Sequence, residues 1–214
     1  GTFSGGTAYS FKATMAAVAK DPSLIQVLMN PFSLSDGFDG PEQPSGMAPI
    51  EDTDIGSWSA PFIMASINTK NVHRSNALLG HAYGEDFVYD EMMLTGPGDQ
   101  GKATAEALAS VDMMGGDDGP KPGEGPSPEE REAGFYDVLF YGIAADGRVI
   151  KVGVTGDKDP GYGSTSKMIT EAALTLVKEN TGTPGGIWTT APAMGGHLVK
   201  RLQAKAGLTF EVEA

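Results

Sequence analysis

Two runs rich in β-branched and aromatic residues, 136–143 and 148–154, stand on either side of Asp146-Gly147. Glycine tolerates the positive φ that tight reversals need, so such a pair reads as a β-hairpin, with a loop that can exceed two residues. No other local pattern in the chain constrains the fold as strongly. A hairpin of this kind buries one face and needs other elements laid against it. The surrounding sequence offers helices for that purpose.

Apolar and alanine-rich spacing predicts a helix over residues 4–20, where Phe11, Met15 and Val18 recur at intervals of four and three. A short helix over 23–29 follows, with Asp21 as its N-cap and Pro22 at the first position. Residues 32–57 carry seven interruptions by Gly or Pro and read as one long loop. A helix is expected over 59–79, a strand over 86–94 and a helix over 100–113. Residues 115–134 read as a linker, because Gly and Pro alternate there with acidic residues. After the hairpin come a tight loop at 155–163, helices over 164–180 and 192–206 with Gly207 as a cap, and a strand over 209–212. The expected class is α+β (α/β): a mixed or largely antiparallel sheet with flanking helices, in one domain.

Charge excludes some functions. Fifteen Lys and Arg face 28 Asp and Glu, a formal net charge of −13, and no basic stripe offsets that field. A phosphate backbone is repelled by such a surface, so no nucleic-acid partner is expected. No run approaches the ~20 apolar residues of a membrane span. There is no cysteine, which removes disulfides, thiolate metal sites and a cysteine nucleophile. The acidic, well-solvated surface points to a cytoplasmic protein, and the lack of cysteine by itself does not settle the compartment. His73, His81 and His197 lack ligand spacing, so no metal site is expected.

Two stretches are candidates for chemistry. Gly161-Tyr162-Gly163-Ser164-Thr165-Ser166-Lys167 passes from strand to helix, where free N–H groups suit an anion. It matches neither the P-loop pattern, which has Gly before its Lys, nor G-x-G-x-x-G, whose third glycine is replaced by Ser166. Its glycines serve either a capped turn or a substrate carboxylate or phosphate held near Lys167. Asn68, Arg74, Ser75 and Asn76 make a helix interval that is polar without the usual Glu and Lys. Either it is a polar face with an Arg complementing the helix dipole, or Arg74 and Asn68 orient a polar ligand. Ser4-Gly5-Gly6 lacks the context of a nucleophile elbow. Trp58 and Trp188 suit a core or a pocket wall.

Several segments together resemble the saccharopine-dehydrogenase-like oxidoreductases, in the branch that includes trans-acting enoyl reductases. They are Gly1-Thr2-Phe3-Ser4-Gly5-Gly6-Thr7, Ala60-Pro61-Phe62-Ile63-Met64-Ala65 with Asn68, and Arg74-Ser75-Asn76-Ala77-Leu78. Pro122-Gly123-Glu124-Gly125-Pro126-Ser127, Gly156-Asp157 through Lys167-Met168, and Gly185-Gly186-Ile187-Trp188-Thr189 with Pro192-Ala193-Met194 continue the series. The resemblance implies an N-terminal Rossmann domain that binds NAD or NADP, and this sequence carries no such fingerprint. The chain, which opens at Gly1 without an initiator Met, is therefore expected to be a C-terminal substrate-binding and dimerisation domain, inactive alone and binding no cofactor itself. Its partners would be a small-molecule substrate, its own Rossmann domain and a second copy in a homodimer. Asn68, Arg74, Tyr162, Lys167 and Trp188 are the expected substrate-binding residues, with Lys167 or Tyr162 as a candidate general acid.

Overall fold

The computed structural model describes residues 3–111 and 120–213. They form an α+β protein in which every strand pairing is antiparallel. The chain divides into two compact units, Ser10–Gly119 and, discontinuously, Gly1–Tyr9 with Pro120–Ala214. These are called here the inserted unit and the outer unit. Helix α1 (Gly5–Lys20) starts in the outer unit and runs on into the inserted one.

The inserted unit continues with α2 (Leu24–Met29), β1 (Ile50–Asp52), β2 (Ser57–Pro61), α3 (Ala65–Leu78), β3 (Met92–Gly96) and α4 (Gly98–Ala109). Its sheet has the order β1-β2-β3, with a register shift at Trp58/Ser59. Four expectations are corrected here. The 32–57 loop contains β1 and the start of β2. The front of the 59–79 helix is strand, because Ser59 and Ala60 are buried in the middle of this sheet. The expected strand over 86–94 starts only at Met92. Asp21 does not cap α2 directly; its carboxylate accepts from the N–H and hydroxyl of Ser23, fixing the turn ahead of it. Residues 112–113 of the expected 100–113 helix, and 115–119 of the expected linker, lie outside the described residues.

Close approach holds α4 to the sheet. A Cβ on Gly101 would lie 1.9 Å from the Gly96 carbonyl oxygen, so only glycine fits. The Thr95 hydroxyl lies 2.9 Å from both the Trp58 and the Gly101 carbonyls. Beyond the sheet, an aromatic cluster surrounds two histidines: Phe32 packs on Phe38 and His73, Phe38 on His81, and Phe87 on His73, Tyr83 and Tyr89. Gln43 ties it together. Its Oε1 accepts from the Tyr89 N–H at 2.9 Å and lies 3.2 Å from His73 Nε2, and because an amide oxygen only accepts, Nε2 is the donor of that pair.

The outer unit contains α5 (Pro128–Ala133), β4 (Tyr136–Ile143), β5 (Val149–Gly156), α6 (Gly163–Lys178), α7 (Thr190–Arg201), a π-helical turn (Leu202–Ala206) and β6 (Leu208–Glu213). The expected hairpin is β4–β5, and β6 adds to its other edge to give the order β4-β5-β6. The linker expectation is corrected at α5: Ser127 and Glu130 form a capping box with Pro128 at the first position. Register places Tyr136, Gly156 and Leu208 abreast, then Val138, Val154 and Phe210, then Phe140, Val152 and Val212. Leu202, Ala206 and Leu208 are buried with Met168, Leu198 and Phe210 around them. Two ion pairs from Arg201, to Glu171 at 2.7 Å and Glu179 at 3.5 Å, join α7 to α6. Helix α7 breaks at Gly195, whose φ of 46° is left-handed.

Burial lowers the pKa of His73 below its ordinary value of 6.5. The unfolded chain then binds this proton more readily than the folded one. The contribution of neutral His73 is complete above about pH 6.5 and is lost as pH falls toward and through the folded value. Unfolding of the inserted unit, read from Trp58 fluorescence in a Trp188→Phe background, should occur at lower denaturant at pH 5 than at pH 7. A His73→Gln replacement should flatten that difference.

Candidate functional site

The outer unit has an open cleft of about 490 Å³ lined by Ser4, the 123–128 loop, Arg131 and Tyr162. Three pieces of chain meet there. The first is the entry to α1, where the Gly5 N–H donates to the Glu124 carbonyl at 2.9 Å. A Cβ on Gly5 would lie 1.8 Å from the Lys121 carbonyl oxygen, so the loop can close on the helix only over glycine. The second is α5 with its capping box. The third is the Asp159-Pro160-Gly161-Tyr162 turn before α6.

Asp159 organises that turn. It is 5% exposed, and its Oδ2 accepts from the Tyr162 N–H at 2.7 Å and the Gly163 N–H at 3.1 Å. Its own N–H donates to the Arg131 carbonyl at 3.0 Å, and its carbonyl accepts from the Ser164 N–H at 2.8 Å. Burial by itself raises the pKa of this carboxyl, but the N–H groups of Gly163, Tyr162 and Gly161 outweigh it and hold the group below the ordinary carboxylate value. The N–H groups that the sequence offered to an outside anion are thus taken by a carboxylate of the chain itself.

The turn delivers the Tyr162 hydroxyl to the start of α1. Ser4 N–H donates to it at 2.6 Å, and the Thr7 hydroxyl lies 3.2 Å away. Burial raises this phenol's pKa, yet the hydrogen bonds from Ser4 and Thr7 prevail and leave it below its ordinary value. A phenol with this setting donates strong hydrogen bonds and can pass a proton.

The other expected residues fall elsewhere. Lys167 pairs with Asp157 at 2.9 Å and holds that carboxyl below its ordinary value. Trp188 is partly exposed and donates from Nε1 to the Pro184 carbonyl at 3.1 Å. Asn68 and Arg74 belong to the inserted unit. There Asn68 donates to Glu91 at 2.9 Å, and Arg74 donates to Asp36 at 2.9 Å and the Leu34 carbonyl at 3.0 Å. Glu91 also accepts from the Tyr89 hydroxyl, whose pKa burial and that hydrogen bond push up. Of the expected set, only Tyr162 lines the cleft.

Sequence reading missed Ser4, Arg131 and Asp159. The Ser127-x-x-Glu130 capping box and the Asp-Pro-Gly turn were signals that could have found two of them. No cluster of three potential metal-ligating side chains occurs among the described residues. No described helix is long and apolar enough to cross a membrane.

Similarity to known proteins runs along the whole chain. It is 34% identical, over 246 aligned positions, to a Mycobacterium tuberculosis protein named provisionally as a trans-acting enoyl reductase. That alignment covers 99% of this chain and 56% of the relative. Trans-acting enoyl reductases of Mycobacterium ulcerans and Mycobacterium bovis are 29% and 28% identical, each over 93% of this chain and 54% of the relative. The chain thus spans about half the length of the curated relatives it matches. No family profile and no solved structure matches it.

Truncating Asp159 to Ala strands two N–H groups of the turn. That should cost about 1–3 kcal/mol of stability and should move the Tyr162 amide resonance in the ¹H–¹⁵N spectrum. An unmoved resonance and unchanged melting would show that the turn stands without this carboxylate.

Proposed function

We propose that this chain is the substrate-side part of a longer NAD(P)-dependent oxidoreductase of the trans-acting enoyl reductase kind, saccharopine-dehydrogenase-like in its overall plan. The observation that carries this reading is the pattern of similarity: nearly all of the chain aligns, but to little more than half of each relative. The rest of such a protein would supply the Rossmann domain and its nicotinamide cofactor. The residues present here do not fit a dinucleotide, because G-x-G-x-x-G is absent and Asp159 occupies the strand-to-helix N–H groups where a pyrophosphate would bind. Hydride chemistry belongs to the cofactor; this part orients the acceptor and keeps water from it. Within it, the cleft at Tyr162 is the place for one polar end of a small-molecule substrate. A cytoplasmic setting accords with this chemistry.

Titrating the chain with NADPH and NADH and following nucleotide fluorescence tests the proposal. No saturable binding is expected. Tight binding by the chain alone would place a cofactor site within it and overturn the division of labour.

A second reading has its own observation. On the sheet face that carries Phe210 and Leu208 into the core, Val138, Phe140, Ile150 and Val212 remain exposed. An apolar face that outruns its helices suits symmetric pairing of two copies in a homodimer, inactive in itself. Light scattering after gel filtration should give twice the mass of the chain, and Phe140→Lys should return a monomer. A monomeric parent at high micromolar concentration removes this reading.

A further inference from the structure

Among the arginines, one stands apart. Arg74, Arg148 and Arg201 each hold a carboxylate, at 2.9, 2.7 and 2.7 Å respectively. Arg131 makes no side-chain hydrogen bond or ion pair among the described residues, although acidic residues outnumber basic ones 28 to 15. It lines the same cleft as Tyr162. The two are set by one residue, since Asp159 donates to the Arg131 carbonyl and accepts from the Tyr162 N–H.

The phenol is also prepared for a ligand. Ser4 N–H occupies one lone pair of the hydroxyl oxygen, and when the Thr7 hydroxyl donates to the other, the phenolic proton is left to point toward a ligand. Glu124 is the remaining charged residue at the cleft, and its carboxylate accepts from the Lys121 N–H at 2.9 Å. Non-directional attraction of an anion is therefore weak here. Selection has to come from directed donors.

We propose that this cleft binds a small carboxylate, with the Arg131 guanidinium gripping its two oxygens and the Tyr162 hydroxyl donating to one of them. Guanidinium and carboxylate are both planar, and the paired N–H···O bonds they form are among the strong charge-assisted ones. Arg131 is thus a ligand-binding residue and Tyr162 its partner donor. The inference rests on reading the cleft as the substrate side of a longer oxidoreductase. It adds that the ligand end received here is an oxyanion and not a neutral acyl group.

The probe is sodium crotonate, an unsaturated four-carbon carboxylate, titrated into ¹⁵N-labelled chain at constant ionic strength with sodium chloride as the control. Saturable shifts are expected at the amides of Ser4 to Thr7, Gly123 to Ser127 and Tyr162. A ligand this small should bind with a Kd on the order of 1 mM. Arg131→Gln should weaken it by about tenfold or more, and Tyr162→Phe by a few-fold. Both variants should keep the dispersed spectrum of the parent; Arg131→Lys, which retains charge but not the fork, should fall between parent and Arg131→Gln. Butyrate should bind like crotonate, and crotonamide should not bind. Crotonamide binding as tightly as crotonate, shifts that survive Arg131→Gln, or no shifts beyond the chloride control would each overturn the carboxylate assignment. None of these outcomes bears on whether the chain binds NADPH, so the two readings fail separately.

Discussion

A single buried carboxylate fixes the geometry of the outer unit's cleft. Asp159 is almost wholly enclosed, and it stays charged because backbone N–H groups of its turn, those of Tyr162 and Gly163 in direct hydrogen bonds, stabilise the carboxylate. A charge in such a place is costly unless its hydrogen bonds are complete. Completing them determines the path of the chain from the end of β5 into α6, and hence the position of the Tyr162 side chain. The main-chain bond from Asp159 to Arg131 extends the constraint to the end of α5. Even the next residue is drawn in, for a Cβ on Gly134 would lie 2.5 Å from the Asp159 nitrogen.

What could be read from the sequence follows the physics of each element. The β4–β5 hairpin was legible because β-branched runs and a turn glycine act locally. Helices α1 and α6 were legible through their spacing and alanine content. β1 and β2 were not, since Ser57, Ser59 and Pro61 of β2 have no strand preference and become strand by pairing with β1 on one side and β3 on the other. Helix α5 was hidden by glycines and prolines on either side, which set the composition of the whole stretch and masked its capping box. The α+β class survived these losses because it depends on the stronger elements.

The candidate site was legible at Tyr162 alone. Asn68, Arg74 and Lys167 looked available as sequence, but each meets an acidic partner of its own unit in the fold. In a chain with this excess of carboxylates, the cations Arg74, Lys102, Arg148, Lys158, Lys167 and Arg201 each find an internal acidic partner. Whether one does depends on contacts between residues distant in sequence, and spacing alone cannot show it. Arg131 was overlooked for the converse reason, having been assigned to a linker.

The hydrogen bond from Ser4 to Tyr162 joins residues 158 apart in sequence. Everything in the inserted unit lies between them. The entropy of closing so long a loop grows only slowly, by about 0.6 kcal/mol for each doubling of length. Its effect is on order of assembly, because distant contacts form after local ones. The β4–β5 hairpin and α6 can form from adjacent chain, whereas the phenol's final setting waits until the first residues have come back. The cleft thus rests on a contact of very long sequence separation, and an intact hairpin says nothing about whether that contact has formed.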